Sequence, residues 1–260
     1  MILLKLGGSL ITEKDQPETP RLGTIRRLAL EVFEARRSQP DLRLVIGHGS
    51  GSFGHHLASK HQTHMGAENR QDWQGFADVW ASANHLNRLV VDALRQAGVP
   101  VISFPPSASA LTEGGRLVEL AREPIRLALD HGLVPVVQGD VAFDRKQGSA
   151  IVSTEQVLGA LVEPLHADSL LLAGLDAGVF ADYPDNRTLL SELKPEDVSG
   201  IHLGGAPSED VTGGMAAKVE KAFELLRDHP SLEIHIFSAE IPNSLRRALV
   251  DKPGGTRLVR

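Results

Sequence analysis

The 260-residue sequence contains no cysteine. Disulfides, thiolate metal sites and a cysteine nucleophile are therefore excluded. Basic charge is not in excess either: 27 Lys+Arg stand against 33 Asp+Glu, a formal net charge of −6, which argues against a dedicated nucleic-acid binder. No apolar run approaches the ~20 residues that span a bilayer. The run Met1–Ile11 is interrupted by Lys5 and has no small-residue cleavage site behind it, so no secretory signal is expected and the protein is expected in the cytoplasm. G-x-x-x-x-G-K-[ST] is missing, which excludes a P-loop nucleotide hydrolase, and so is H-E-x-x-H. There is no internal repeat and no low-complexity tract.

What remains, 42% hydrophobic and 23% charged residues, is an ordinary globular composition. Short apolar runs at Ile2–Leu6, Leu42–Ile46, Pro100–Phe104, Leu133–Val137, Ser169–Ala173 and Leu232–Phe237 read as strands buried on both faces. Helical patterns lie between them. In Leu22–Arg37 the residues Leu22, Ile25, Leu28, Ala29, Val32 and Phe33 recur at three- and four-residue steps. Further helices are expected near Asp72–Gln96, Ala121–His131, Thr154–Glu163, Thr212–Asp228 and Pro242–Val250. The alternation predicts an α/β fold with a mostly parallel central sheet covered by helices. Residues 1–260 are expected to form a single domain with two lobes. Asp182–Gly200 and Gly204–Gly214 read as long loops near a site.

Three segments concentrate glycine beside a cation. Lys5-Leu6-Gly7-Gly8-Ser9 ends a buried strand, and glycines there let anionic oxygens reach backbone N–H groups. Gly47-His48-Gly49-Ser50-Gly51-Ser52-Phe53-Gly54-His55 follows the second strand and precedes a helical stretch, whose N-terminus would attract an anion. It matches G-x-G-x-x-G formally, but Glu68 and Asp72, the candidates for the acidic partner of a dinucleotide site, follow no strand-like run. Asp210-Val211-Thr212-Gly213-Gly214-Met215-Ala216-Ala217-Lys218 leads into a helix whose first turns carry Lys218, an unfavourable place for a cation without an anion nearby. His48, His55, His56, His61, His64 and His85 crowd one region, yet several would diverge on a helix, so no metal is assigned to them. Together the three segments suit phosphoryl transfer, which needs donor and acceptor held in line and charge stabilised.

These blocks, with Lys14 and Gly139-Asp140-Val141, occur in an order that resembles isopentenyl phosphate kinase of the amino acid kinase superfamily. The resemblance spans nearly the whole chain, and Gly-Ser-Phe-Gly-His is its discriminating piece. It implies a three-layer αβα sandwich with an acceptor lobe over about 1–165 and a nucleotide lobe over about 166–260. It implies transfer of the γ-phosphate of Mg²⁺-bearing ATP to a prenyl monophosphate, isopentenyl phosphate, in a homodimer. His55, Ser50, Gly51, Gly54 and Thr154 would bind the acceptor. Lys5, Lys14, His55 and Lys218 would be catalytic, with Lys14 nearest the transition state. Lys5, Gly7, Gly8, Ser9, Gly51, Asp176, Gly213, Gly214 and Lys218 would hold ATP, with Gly178 a further contact. Phe76, Val79, Trp80 and Ala83 would line the prenyl tail, with Ile151–Val152 closing it. Two departures stand out: Ser153-Thr154-Glu155 where relatives have Ser-Gly-Asp, and Ala173-Gly174-Leu175-Asp176-Ala177-Gly178 where relatives often have Gly-Thr-Asp-Val-Asp-Gly. A kinase for another phosphate or phosphonate, of the fosfomycin-kinase type, and a non-catalytic nucleotide-binding relative are the alternative readings.

Overall fold

The computed structural model describes residues 1–201, 203 and 214–260. The elements run β1 (Ile2–Leu6), α1 (Gly8–Ile11), α2 (Leu22–Ser38), β2 (Leu44–His48), α3 (Gly51–Lys60), α4 (Arg70–Gln96), β3 (Val101–Ser103), α5 (Pro106–Ser109), β4 (Ala110–Glu113), β5 (Arg116–Leu120), α6 (Arg122–Asp130), β6 (Val134–Gln138), β7 (Asp140–Asp144), β8 (Gly148–Val152), α7 (Thr154–Val162), β9 (Ser169–Gly174), β10 (Glu192–Leu193), α8 (Gly214–Asp228), β11 (Glu233–Ser238), α9 (Ser244–Val250) and β12 (Thr256–Leu258).

The larger sheet has eight strands in the order β10-β12-β11-β9-β1-β2-β6-β3. Its neighbours pair parallel except β11 with β12. Its central strands are apolar on both faces because each face carries helices. Leu4, Leu6, Leu44, Ile46 and Val136 pack with Leu28, Val32, Leu86, Val90 and Leu249 of α2, α4 and α9. The alternate residues Leu3, Val45, Val137, Leu170 and Ile236 pack with Leu129, Val157, Leu161, Val219 and Leu226 of α6, α7 and α8. This is the expected αβα sandwich.

A second sheet, β5-β4-β7-β8, was not foreshadowed by the apolar runs. Its strands mix polar residues with apolar ones, as in Asp140–Asp144, and β5 turns Arg116, Val118 and Glu119 outward, so no continuous apolar run marks them. The segment 182–200 is not a bare loop beside the cleft: it contains β10 and the 3₁₀ turn Pro195–Gly200, which packs Val198 against the α6–α7–α8 side of the core. Most of Gly204–Gly214 lies outside the described residues.

Candidate active site

The carboxyl ends of β1, β2, β6 and β9 open into a cleft of about 610 Å³. An open parallel sheet places its ligand site there. Lys5, Gly7, Gly8, Ser9, Lys14, Ser50, Gly54, His55, Thr154, Asp176, Gly214 and Lys218 all line it. Gly213, with Asp210–Thr212, lies outside the described residues.

The first two glycine segments meet directly. A Cβ on Gly8 would lie 2.6 Å from the Gly51 nitrogen, and Gly51 itself adopts φ +49. Only glycine fits both positions, which locks the β1–α1 turn onto the start of α3. Gly51 is therefore buried behind the cleft and does not line it, a correction to its expected contact role. Gly8, Ser9 and Ser50 line the cleft, and their amide N–H groups donate to no protein acceptor among the described residues. Such unpaired amides suit anionic oxygens. His55 also differs from expectation: α3 begins at Gly51, so His55 sits on its second turn and not in a loop.

Lys14 rides on the turn between Thr12 and Pro20, closed by a bridge between those two residues. Arg21 clasps the base of the turn through Glu13 at 3.1 Å. Across the cleft, Ser153 and Gln156 form a capping box that starts α7. That cap sets the direction of the first helical turn and aims Glu155 at Lys5. Lys5 Nζ donates to Glu155 Oε1 in a mostly buried ion pair. Burial alone would raise the Glu155 carboxyl, but the charge and hydrogen bond of Lys5 outweigh it and hold the pKa at about 2. Glu155, where relatives have Asp, thus reaches Lys5. Thr154 is buried, and its hydroxyl donates to the His48 carbonyl at 2.7 Å, so its side chain is tied to β2.

Two residues given no role from the sequence also line the cleft. Lys221 lines it, one helical turn beyond Lys218 on the same face of α8, a spacing that could have revealed it. Asp140 lines it as well. It accepts hydrogen bonds from Ser107 Oγ at 2.7 Å and from the Val141 amide at 2.9 Å. Burial pushes its carboxyl up to about 6, against the lowering effect of those donors and of Asn84.

Beside His55 and Ser59 of α3, the residues Ala58, Val79, Ala83, Ile151 and Val152 of α3, α4 and β8 give the cleft an apolar stretch. Two members of the expected stripe do not line it. Phe76 turns into an aromatic cluster with Trp73 and Phe143, at ring separations of 5.5 and 5.1 Å, and Trp80 is 46% exposed. Gly178 is a further correction. Its φ of +158 and its closeness to Thr256 Oγ1, 2.5 Å from a built Cβ, make it a packing glycine and not a cleft residue. Asp72, considered as a dinucleotide-binding acid, instead closes the capping box of α4 with Asn69. Of the histidines, His64 also lines the cleft, His61 faces Asp78 and His85 packs edge-on against Phe53.

A parallel αβα sheet with lysines and unpaired amides at its carboxyl edge defines a phosphate-handling α/β protein. The sequence model of the amino acid kinase family matches residues 1–238, and the chain belongs to that family. An isopentenyl phosphate kinase from Methanothermobacter thermautotrophicus is 35% identical over 271 residues, covering 99% of this chain and 98% of the relative. One from Haloferax volcanii is 34% identical over 240 residues, covering 92% of each. A solved isopentenyl phosphate kinase structure superposes with a TM-score of 0.83 at 31% identity, covering 100% of both chains. Within the family the chain falls with the isopentenyl phosphate kinases. A carbamate kinase from Giardia lamblia, at 16% identity and a TM-score of 0.71, shares the fold. Among the described residues no helix is long and apolar enough to cross a membrane.

Proposed function

We propose that this chain transfers the γ-phosphoryl group of ATP to isopentenyl phosphate, giving isopentenyl diphosphate and ADP. The observation that carries this reading is the asymmetry of the cleft. Lys5, Lys14, Lys218 and Lys221 gather with unpaired amides on one side, and an apolar wall stands on the other. An amphiphile with a phosphate head and a short hydrocarbon tail matches both.

In the reaction an oxygen of the acceptor phosphate bonds to the γ-phosphorus while the bond to the β,γ-bridging oxygen breaks and ADP leaves. The acceptor is already anionic, so no general base is needed. His55 donates to the acceptor phosphate, and the Ser50 amide and Gly54 border it. Lys14, Lys5 and Lys218 neutralise the transferring group, Lys5 being aimed by Glu155. Gly7, Gly8, Ser9, Gly214 and Asp176 hold ATP. Of the three carboxylates among the described residues that line the cleft, Glu155 is taken by Lys5 and Asp140 by Ser107 and Val141, which leaves Asp176 alone for a cation. That donor set fits Mg²⁺ arriving on the nucleotide phosphates, where it would screen charge between them, more than a protein-held metal. We read the chain as one domain, with an acceptor lobe over about 1–165 and a nucleotide lobe over about 166–260. Support comes from β1 and β9 pairing in one sheet. The reading extends to a cytoplasmic homodimer; a sedimentation mass of one chain instead of two would overturn that part.

The test is ADP release in a coupled assay across a panel of short and long prenyl monophosphates, with alkyl phosphonates of the fosfomycin type alongside. Turnover greatest with isopentenyl phosphate is expected, and silence across the prenyl phosphates would sink the proposal. His55→Ala should stay folded, since His55 is half-exposed on α3, and lose about 10²–10³-fold in turnover.

A further inference from the structure

His48, the last residue of β2, is fully buried, and the reaction as described makes no use of it. Its Nδ1 lies 3.1 Å from the carbonyl oxygen of Gly49, and its Nε2 lies 3.0 Å from Nδ2 of Asn87 on α4. A carbonyl oxygen can only accept, so Nδ1 carries the ring proton. The neutral ring then accepts at Nε2, which turns the Asn87 amide nitrogen toward it. The Asn87 oxygen is left to accept from Ser103 Oγ at 2.8 Å, as observed. Every donor in this chain meets an acceptor, and only this tautomer satisfies all of it. Burial keeps the ring neutral by lowering its pKa to about 4.

The chain of bonds ends on a cleft residue. Gly49 and Ser50 both line the cleft. In a trans peptide the carbonyl and the next N–H point in opposite directions. Drawing the Gly49 carbonyl back onto His48 therefore turns the Ser50 N–H outward, and that N–H has no protein acceptor among the described residues. A second bond, from Thr154 Oγ1 to the His48 carbonyl at 2.7 Å, fixes the other side of the same residue. We propose that His48 is a positioning residue for the phosphoryl acceptor: it holds the Gly49–Ser50 peptide so that the Ser50 amide faces the acceptor phosphate. The proposal rests on the acceptor assignment above. A buried histidine with satisfied nitrogens is commonly part of the core alone, and a purely structural role predicts a loss of stability without a selective change in one substrate's KM.

The experiment pairs two variants with a spectrum. His48→Phe keeps a ring and removes the donor to Gly49, and should raise the acceptor KM about tenfold or more while the KM for ATP moves by less than about twofold. His48→Asn places an amide nitrogen where Nδ1 stands and should restore most of that loss. Equal KM values for the two variants, or equal changes in both substrates' KM, would overturn the proposal. Nitrogen-15 correlation spectra of the unaltered protein should show His48 protonated at Nδ1 only. An Nε2-protonated ring would overturn the proposal even if His48→Phe does not fold. The spectrum needs no substrate, so its failure is distinguishable from an error in the acceptor's identity.

Discussion

Two buried carboxyl groups face the same cleft and have their pKa values shifted in opposite directions. Glu155 sits against Lys5, and its pKa falls to about 2. Asp140 is also buried, but its partners Ser107, Val141 and Asn84 are neutral, and its pKa rises to about 6. Burial pushes both upward, so the sign is decided by whether a cation stands beside the carboxyl. The consequence is a division of the cleft. At the Lys5 end the charges are fixed and directional, as needed where negative charge is transferred. At the Asp140 end, next to the apolar wall, the carboxyl is held by neutral donors only and takes up a proton at a higher pH than an exposed aspartate.

The comparison breaks most severely if Lys5 is removed. Lys5→Met should lower turnover by about 10²–10³-fold in the ADP-release assay. It should also reverse the titration of Glu155. In the unaltered protein the folded pKa lies below the ordinary glutamate value of 4.5. Glu155 therefore contributes stability that is present above that value and lost as pH falls toward about 2. Without Lys5 the carboxyl titrates above 4.5 instead, and its contribution is lost as pH rises. A thermal-unfolding series against pH that keeps its original slope in Lys5→Met would show that Lys5 is not the controlling charge. Glu155→Gln attacks the other partner. It leaves Lys5 charged but no longer aimed, and about a tenfold fall in turnover is expected, roughly 1.4 kcal/mol of barrier. The acid-side loss of stability assigned to Glu155 should vanish in the same variant, and turnover equal to the unaltered protein would remove Glu155 from the orienting role.

The two ends also differ in how far the sequence revealed them. The Lys5 end was legible because its signal is local: a buried strand running into two glycines and a serine. The central strands and α2 were legible for the same reason, since burial on both faces or on one stripe writes itself as a run or a period. The Asp140 end was not. Its carboxyl is defined by Ser107, 33 positions away, and the neighbouring His48 by Asn87, 39 positions away. The strands of the second sheet mix polar and apolar residues and carry no long apolar run. Helical spacing grouped Phe76, Val79, Trp80 and Ala83 on one face, but spacing cannot distinguish which flank meets the cleft. The aromatic cluster with Trp73 and Phe143 decided that for Phe76.

The smallest effect on turnover, and the sharpest test of the division, belongs to Asp140→Asn. The folded pKa of about 6 lies above the ordinary aspartate value of 3.8. Between those values the folded protein binds more protons than the unfolded chain, so this group makes stability decline as pH rises from about 4 to about 6. Each unit of difference corresponds to about 1.4 kcal/mol, which makes the decline measurable by denaturant unfolding. Asparagine keeps an oxygen for the Val141 amide, and the Ser107 hydroxyl can rotate to accept from the new amide nitrogen. The site should therefore stay assembled, turnover should remain within about threefold of the unaltered protein, and the decline across that pH window should flatten. If turnover instead collapses while the pH slope persists, Asp140 acts through its negative charge, and the acceptor end of the cleft is as charge-dependent as the Lys5 end.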